Sequence, residues 1–384
     1  MSRVLFEITE NELETGLRGF PIGYCPTSYV DPQKGLFYAD HPISECAHWE
    51  PAQVLHLLYH GKEGSAAEVA DFAKELERRA PCDPSLIAYI QKLPRQGHPM
   101  KLFSAALLLA AGFEGTGDYR EDCLNLIAKI PQIAAAVINH HAGWPSSNPK
   151  PHLGYMENFT HMLGVPDKSD TLADVLKLFN VLHYDHGGGN LSAFTGKAVA
   201  SGLEDLYGSL AGAMCALAGP RHGRANQDCL EFVHELSEQL GNSPTEAAVE
   251  KALRDRLASR QLIFGFGHAV LRVEDARATV QYGLLERSFP DHPLSKLVLL
   301  LRKVGPKVLG ENPKIADPYP NVDAVSGTLL TAAGFPYPEY FTVLFGASRC
   351  CGIAIQIVYE RLEARGGKGL PIVRPKYFFR ERGA

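Results

Sequence analysis

A chain of 384 residues, 45% of them apolar and with a formal charge of −5, is long enough for one large core with a smaller unit attached. The mild charge argues against a general nucleic-acid or membrane-surface binder, though local basic pockets for a phosphorylated ligand remain compatible with it. Eight cysteines, scattered apart from the adjacent Cys350 and Cys351 and without a CxxC pair, are poor material for a disulfide framework or a structural zinc site and point to a reducing, cytoplasmic setting.

The N-terminal MSRVLFEITENELE has no apolar signal core and no Arg/Ser-rich leader, which leaves a mature organellar form open. The first forty residues are the one part that reads as strand and turn, with Gly19-Phe20-Pro21-Ile22-Gly23 and Asp31-Pro32-Gln33-Lys34-Gly35 as punctuation. Beyond them the pattern is helical. Pro51 suits a first helical position, Val54, Leu57 and Leu58 form an apolar face, and Gly61 can stop the helix. Ser65 with Glu68 makes a capping box ahead of Val69, Phe72, Ala73 and Leu76. The longest apolar run, Ala105 to Ala111, is too short to span a bilayer. Asp170 precedes the stripe Leu172, Val175, Leu176, Phe179 and Leu182, and Ser243-Pro244-Thr245 opens a helix with Ala248, Val249 and Ala252 inward. Strands do not alternate with helices, so a doubly wound sheet is not expected and the fold class is all-α.

Four segments place His, Asp or Arg in glycine-rich surroundings: His183-Tyr184-Asp185-His186-Gly187-Gly188-Gly189-Asn190, Gly219-Pro220-Arg221-His222-Gly223, Gly265-Phe266-Gly267-His268, and Asn321-Val322-Asp323-Ala324-Val325-Ser326-Gly327. Glycine beside a titratable residue lets backbone approach a ligand closely. Each segment alone is a weak signal; together they suggest one site. Plainer readings compete. His183 and His186 have metal-ligand spacing, but no third and fourth ligand is evident. The triple glycine lacks the Lys-Ser/Thr of a phosphate loop. His140-His141 reads as a solvated helix end, and His98 as a structural residue opening an apolar helix. Late in the chain come Arg272, Arg277, Arg349 and Arg374. Arginine grips planar carboxylates in pairs of bonds and stays charged, so several in one site imply a small, multiply charged acid; the competing reading is surface ion pairing.

The order of these segments resembles the citrate synthase family: His-x-x-His-x-Gly-Gly-Asn, Gly-Pro-x-His-Gly-x-Ala-Asn, Gly-x-Gly-His-Ala-Val-Leu-Arg, Asn-Val-Asp-x-x-Ser-Gly, then Ser348-Arg349 and Arg374-Pro375-Lys376. Gly16-Leu17-Arg18-Gly19, Lys34-Gly35-Leu36 and His98-Pro99-Met100 extend the likeness from about residue 17 to about residue 376, nearer the mitochondrial type than the bacterial hexamers. The resemblance implies a two-domain helical fold with a short N-terminal strand and turn region. A large domain would cover residues 1–221 and 329–384, and a small one, residues 222–328, would close over it. It implies that Asp323 takes a proton from the acetyl methyl group, His222 bonds the thioester oxygen as it becomes an enol, and His268 polarises the oxaloacetate ketone. His186, Arg277, Arg349 and Arg374 would surround oxaloacetate, with Arg374 supplied by the partner of a homodimer. Gly265, Phe266, Gly267, Arg272 and Asn321 would hold CoA, which comes and goes as acetyl-CoA. No metal or permanently bound cofactor is expected, and no nucleic-acid or membrane partner.

Three departures stand out. Arg221 and Arg224 flank His222 where relatives have Leu and Gly or Leu, and the added cations are expected to favour a neutral imidazole. Tyr38-Ala39-Asp40-His41 replaces a common Tyr-Arg-Gly, and residues 364–369 resemble a small insertion ahead of Arg374. Three further readings share the motifs: a 2-methylcitrate synthase using propionyl-CoA, a citryl-CoA lyase, and an inactive paralogue.

Overall fold

The structure, a computed structural model, describes residues 4–241 and 243–382. A 3₁₀ turn at Glu10–Glu12 leads to β1 (Ser28–Asp31), β2 (Gly35–Tyr38) and β3 (His41–Pro42), an antiparallel sheet in that order. The Asp31 carboxylate accepts the Gln33 and Lys34 N–H groups, both at 2.9 Å, and Gly35 takes φ +98°, which closes the predicted turn. Registry sets Ser28 opposite Tyr38.

Beyond the sheet the regular structure of the described residues is helical, apart from one isolated bridge, with loops between the helices. The helices are α1 (Ile43–Cys46), α2 (Pro51–His60), α3 (Ala66–Arg79), α4 (Pro84–Ile90), α5 (Pro99–Glu114), α6 (Tyr119–Ala142), α7 (Tyr155–Met162) and α8 (Leu172–His183). They continue with α9 (Leu191–Ala200), α10 (Leu206–Leu217), α11 (Ala225–Leu240), α12 (Glu246–Ala258), α13 (Ala276–Ser288), α14 (Pro293–Gly310), α15 (Asp323–Ala332) and α16 (Phe341–Val358). The fold class is all-α, as the sequence predicts.

Local chemistry explains many boundaries. Pro51 is at the start of α2, and Gly61 ends it in the left-handed conformation. Ser65 and Glu68 form the expected reciprocal cap of α3. Thr245 caps α12, whose inward face is Val249, Ala252 and Leu253. Helix α8 buries the expected stripe of Leu172, Val175, Leu176, Phe179 and Leu182; it starts after Thr171, and no side chain caps it. His140, expected in solvent, is buried and bonds the Leu93 carbonyl at 2.7 Å, while His141 reaches Gly97 O and the Tyr340 hydroxyl. The end of α6 is therefore packed, because the segment before α5 covers it. His98 caps α5 by accepting from the Met100 N–H, as expected of a structural residue.

The core is built around α6 and α16, both buried along most of their length. The stretch around α16 (residues 338–367) is long and apolar enough to cross a bilayer by composition, yet 94% of its most apolar window is buried inside the protein. It is the axis of the core. Helices α5, α6, α8, α9 and α10 pack around α16, and α11 to α15 pack largely on one another.

Candidate active site

The four glycine-rich segments converge at the ends of helices, where backbone is free to turn toward a cleft. The first follows α8. His183 turns its Nδ1 to the Phe179 carbonyl (2.7 Å) and stacks on the Phe179 ring, with centroids 4.1 Å apart, so it is a packing residue. Burial and the nearby Arg277 and Arg349 push it down to about 3. His186 is different. Its Nε2 is buried without a protein partner, and its ring lies 5.2 Å from that of His268. Burial, then Arg277 and Arg349, hold it well below the usual histidine range, so it is neutral.

Asn190 caps α9 by accepting the Ala193 N–H at 3.0 Å. The Ser192 N–H, in the same first turn, has no acceptor inside the helix and points at His222 Nε2 (3.3 Å). The Ser192 hydroxyl is 2.9 Å from the same nitrogen and 3.0 Å from Asn190 Oδ1. A hydroxyl can rotate but a backbone N–H cannot, so the fixed donor sets the tautomer: Nε2 accepts and Nδ1 carries the proton. Burial, with Arg349 as the lesser cause, pushes His222 down to about 4. The imidazole is neutral, as anticipated, but not for the anticipated reason. Arg221 is exposed, and Arg224 lies in the electrostatic surroundings of His98 and Asp228.

The third and fourth segments form one unit. Phe266 bridges Pro320 in antiparallel fashion, Gly267 N bonds Tyr319 O (3.0 Å), and Asn321 N bonds Gly265 O (2.9 Å). The Asn321 side chain completes the clip, donating to Gly267 O and accepting from the Asp323 N–H, both at 3.0 Å. The Phe266 ring packs over Gly305 of α14, where a β-carbon would come within 2.3 Å of it. Gly265 has φ +81°, and a β-carbon there would lie 2.8 Å from Ala324 Cα and 2.9 Å from Cys229 Sγ. Both facts require glycine. Gly265→Ala is expected to cost more than about 1 kcal/mol of stability in urea unfolding, from the left-handed backbone and the clash together; an unchanged midpoint would show that the α15 entry yields freely.

His268 accepts two backbone N–H groups at Nδ1, from Val270 (3.1 Å) and Leu271 (2.9 Å), so its proton sits on Nε2. Burial, then Arg277, pushes it down to about 4. Arg272 is exposed and folds back on its own loop, donating to the carbonyls of Leu271 (2.5 Å) and Val270 (3.1 Å). Asp323 opens α15. Burial pushes its carboxyl up to about 6 against the smaller opposing pull of Arg277.

The two buried arginines are not equivalent. Arg277 is paired with Asp275 through Nε (3.0 Å) and Nη2 (2.6 Å), which leaves Nη1. Arg349, on α16, gives only Nε to the protein, to the His183 carbonyl at 3.0 Å, and its guanidinium lies 4.8 Å from the Phe345 ring. Both of its Nη groups lack a hydrogen-bond partner among the described residues. Arg374 is not brought to this cluster: it lies in an exposed C-terminal segment tied down at Val373, whose N–H bonds Ser201 Oγ at 2.9 Å. The sequence reading missed Ser192 and Asp275. Asp275 had a signal, an aspartate just ahead of a helical run; the Ser192 contact crosses between segments and had none.

Three comparisons bear on this arrangement. Residues 16–376 match the family described as citrate synthase, C-terminal domain. The chain is 36% identical to citrate synthase 4, mitochondrial, of Arabidopsis thaliana over 97% of its own length and 82% of that protein. It is 36% identical to the mitochondrial citrate synthase of Citrus maxima over 97% and 83%. Among solved structures, the citrate synthase of Thermotoga maritima superposes with a TM-score of 0.81 at 25% identity, covering 97% of each chain. The Thermoplasma acidophilum enzyme, solved as a ternary complex with carboxymethyl coenzyme A and oxaloacetate, shares the fold with a TM-score of 0.82 at 24% identity over 96% of each.

Proposed function

The chain belongs to the citrate synthase family, and from that premise we propose how its own side chains condense acetyl-CoA with oxaloacetate and water to citrate and CoA. The observation that carries the assignment is the Asp323 carboxyl at the start of α15, half-buried and within electrostatic reach of two buried guanidiniums that keep N–H groups free, with desolvation raising it above the usual carboxylate range.

The Asp323 carboxylate takes a methyl proton from acetyl-CoA; the C–H electron pair forms the C=C bond, and the carbonyl π pair moves onto the thioester oxygen. A thioester methyl is a very weak acid, so the charge building on that oxygen must meet a donor already in place. His222 Nδ1–H supplies it, oriented by Ser192. The enol carbon then attacks the ketone of oxaloacetate, re-forming the thioester carbonyl; His268 Nε2–H meets the oxygen that becomes an alkoxide, which ends as the citryl hydroxyl by taking up the proton that Asp323 removed. Water hydrolyses the citryl-CoA thioester, releasing CoA. The chemistry needs no metal ion and no resident cofactor. Arg349 offers its two Nη groups as a fork for one carboxylate, Arg277 adds Nη1, and His186 donates from its unpartnered nitrogen. CoA lies along the Gly265-Phe266-Gly267 backbone, with Arg272 and Asn321 at its edge. Closure of residues 222–328 over residues 1–221 and 329–384 sequesters the intermediate; the mutual packing of α11 to α15 supports that division.

Arg374 completes the pocket of a second copy in a homodimer, a reading supported by its place in an exposed segment anchored at Ser201. The relatives reported above are mitochondrial, so they lend no support to a cytoplasmic location. The eight free thiols fit any reducing compartment, matrix or cytoplasm.

The test is release of CoA thiol from oxaloacetate with acetyl-CoA, and in parallel with propionyl-CoA. Fast release with the first is expected. A preference for propionyl-CoA would move the assignment to 2-methylcitrate synthase, and no release from folded protein would sink it in favour of a lyase or an inactive paralogue. Chains carrying Arg374→Ala and chains carrying Asp323→Asn, each inactive alone, should recover about a quarter of the parental rate when co-expressed, since half the dimers then hold one intact site.

A further inference from the structure

We infer that Asp185 is a positioning residue of the oxaloacetate pocket, its carboxylate tying the N-terminal hairpin and α16 to the His186 loop and providing the counter-charge for Arg349. The inference rests on the assignment of that pocket to oxaloacetate.

Asp185 is fully buried. A buried carboxylate is costly unless its oxygens are satisfied, and here three donors from three parts of the chain meet it. Thr27, beside β1, donates its hydroxyl to Oδ2. Gln356, on α16, donates Nε2 to Oδ1 at 2.6 Å. The His186 N–H donates to the same Oδ1 at 2.8 Å. The neighbours extend the tie. Gln356 also reaches the Gly187 carbonyl (3.3 Å), and Ser28 Oγ accepts the Gly187 N–H (2.7 Å). The Tyr38 hydroxyl accepts the Asp185 N–H (3.2 Å) and donates to Val181 O (2.8 Å).

The approach of α16 is built for this. A β-carbon at Gly352 would lie 2.2 Å from Tyr184 O and 2.9 Å from Asp185 Cβ. Only glycine lets the helix press on the Tyr184 carbonyl and the Asp185 side chain and present Gln356 and, about two turns earlier, Arg349. The loop that carries His186 is thus held to the helix that carries Arg349.

Charge gives the second half of the argument. Arg277 has its own carboxylate in Asp275; Arg349 has no direct ion pair among the described residues. Burial pushes Arg349 down to about 10, and the foremost opposing influence is Asp185. The other groups facing it are Tyr38 on β2, Arg277 on α13 and Asp323 on α15, with His183 at the end of α8, His186 on the loop and His222 ahead of α11.

Asp185→Asn keeps the shape and removes the charge. The expected result is an oxaloacetate KM raised about 10- to 100-fold, the range for losing a charged, buried hydrogen-bonding group, with kcat at saturation and the acetyl-CoA KM within about threefold of the parent. The alkaline rise in oxaloacetate KM should also begin at lower pH than in the parent, because Arg349 loses the charge that holds its proton. A folding role alone would move neither the KM split nor the pH profile. Thr27→Val and Gln356→Met each delete one donor without changing charge; each should raise the oxaloacetate KM several-fold, and they decide the matter if Asp185→Asn fails to fold. Calorimetric titration with oxaloacetate separates the two levels of failure. Equal affinity in the parent and the folded variants overturns the role of Asp185 alone. No binding to the parent overturns the pocket assignment, and this inference with it.

Discussion

Asp323→Asn should lower kcat by about 10²- to 10⁴-fold, the span attributable to a single positioned base, while making the protein more stable at neutral pH. The carboxyl rises from its usual 3.8 to about 6 because burial penalises the charge, outweighing Arg277. The folded state therefore binds this proton more tightly than the unfolded chain. Stability is fullest below the usual carboxylate range, falls as pH rises toward 6, and stays at its lower level above that. The rise from 3.8 to about 6 corresponds to about 3 kcal/mol. An amide at this position titrates nowhere, so the variant should gain stability over the parent as pH climbs from about 4 to 6 and keep that gain above it. Thermal unfolding of both proteins across this range measures the effect. A variant no more stable at pH 8 than the parent would show that the carboxylate is not strained by burial. The rate profile follows from the same group: kcat/KM should rise with pH through a midpoint near 6 to a plateau above about 7, with no step from His222 or His268, both already neutral there.

The second large effect is expected at His268. His268→Ala should reduce kcat by about 10²- to 10³-fold, as for the loss of one preorganised donor to a developing oxyanion. The proton-abstraction step offers a sharper distinction than the overall rate. His268 is assigned to the ketone and Asp323 to the methyl group. Exchange of the acetyl methyl protons with solvent deuterium, in the presence of an unreactive dicarboxylate, should therefore persist in His268→Ala and vanish in Asp323→Asn. Parental kcat in His268→Ala would remove this histidine from the chemistry. Loss of exchange in both variants would mean that the two residues act in one step.

These expectations depend on tautomers that follow from local architecture. Val270 and Leu271 point two N–H groups at His268 Nδ1, and the first turn of α9 points one at His222 Nε2. In both cases backbone donors with no helical acceptor fix which nitrogen carries the proton, so each imidazole presents a neutral N–H.

The sequence by itself determined what short-range chemistry controls. Proline, glycine and capping residues marked the ends of α2, α3 and α12, and the Asp31–Gly35 turn marked the hairpin, because those signals act within four or five residues. The motif order likewise proposed His222, His268 and Asp323, with His186, Arg277, Arg349 and Arg374, as one set, and Arg374 lies apart from the rest in an exposed segment. The tertiary structure alone decided how that set is wired. Asp185 meets Thr27 and Gln356 across separations of 158 and 171 residues, and Ser192 meets His222 across 30. His140 is buried rather than solvated because a distant loop covers the end of α6. Burial and Arg349, rather than the adjacent Arg221 and Arg224, hold His222 neutral. Protonation and pairing depend on what surrounds a side chain in space, and neighbours in sequence point elsewhere when a helix end turns between them.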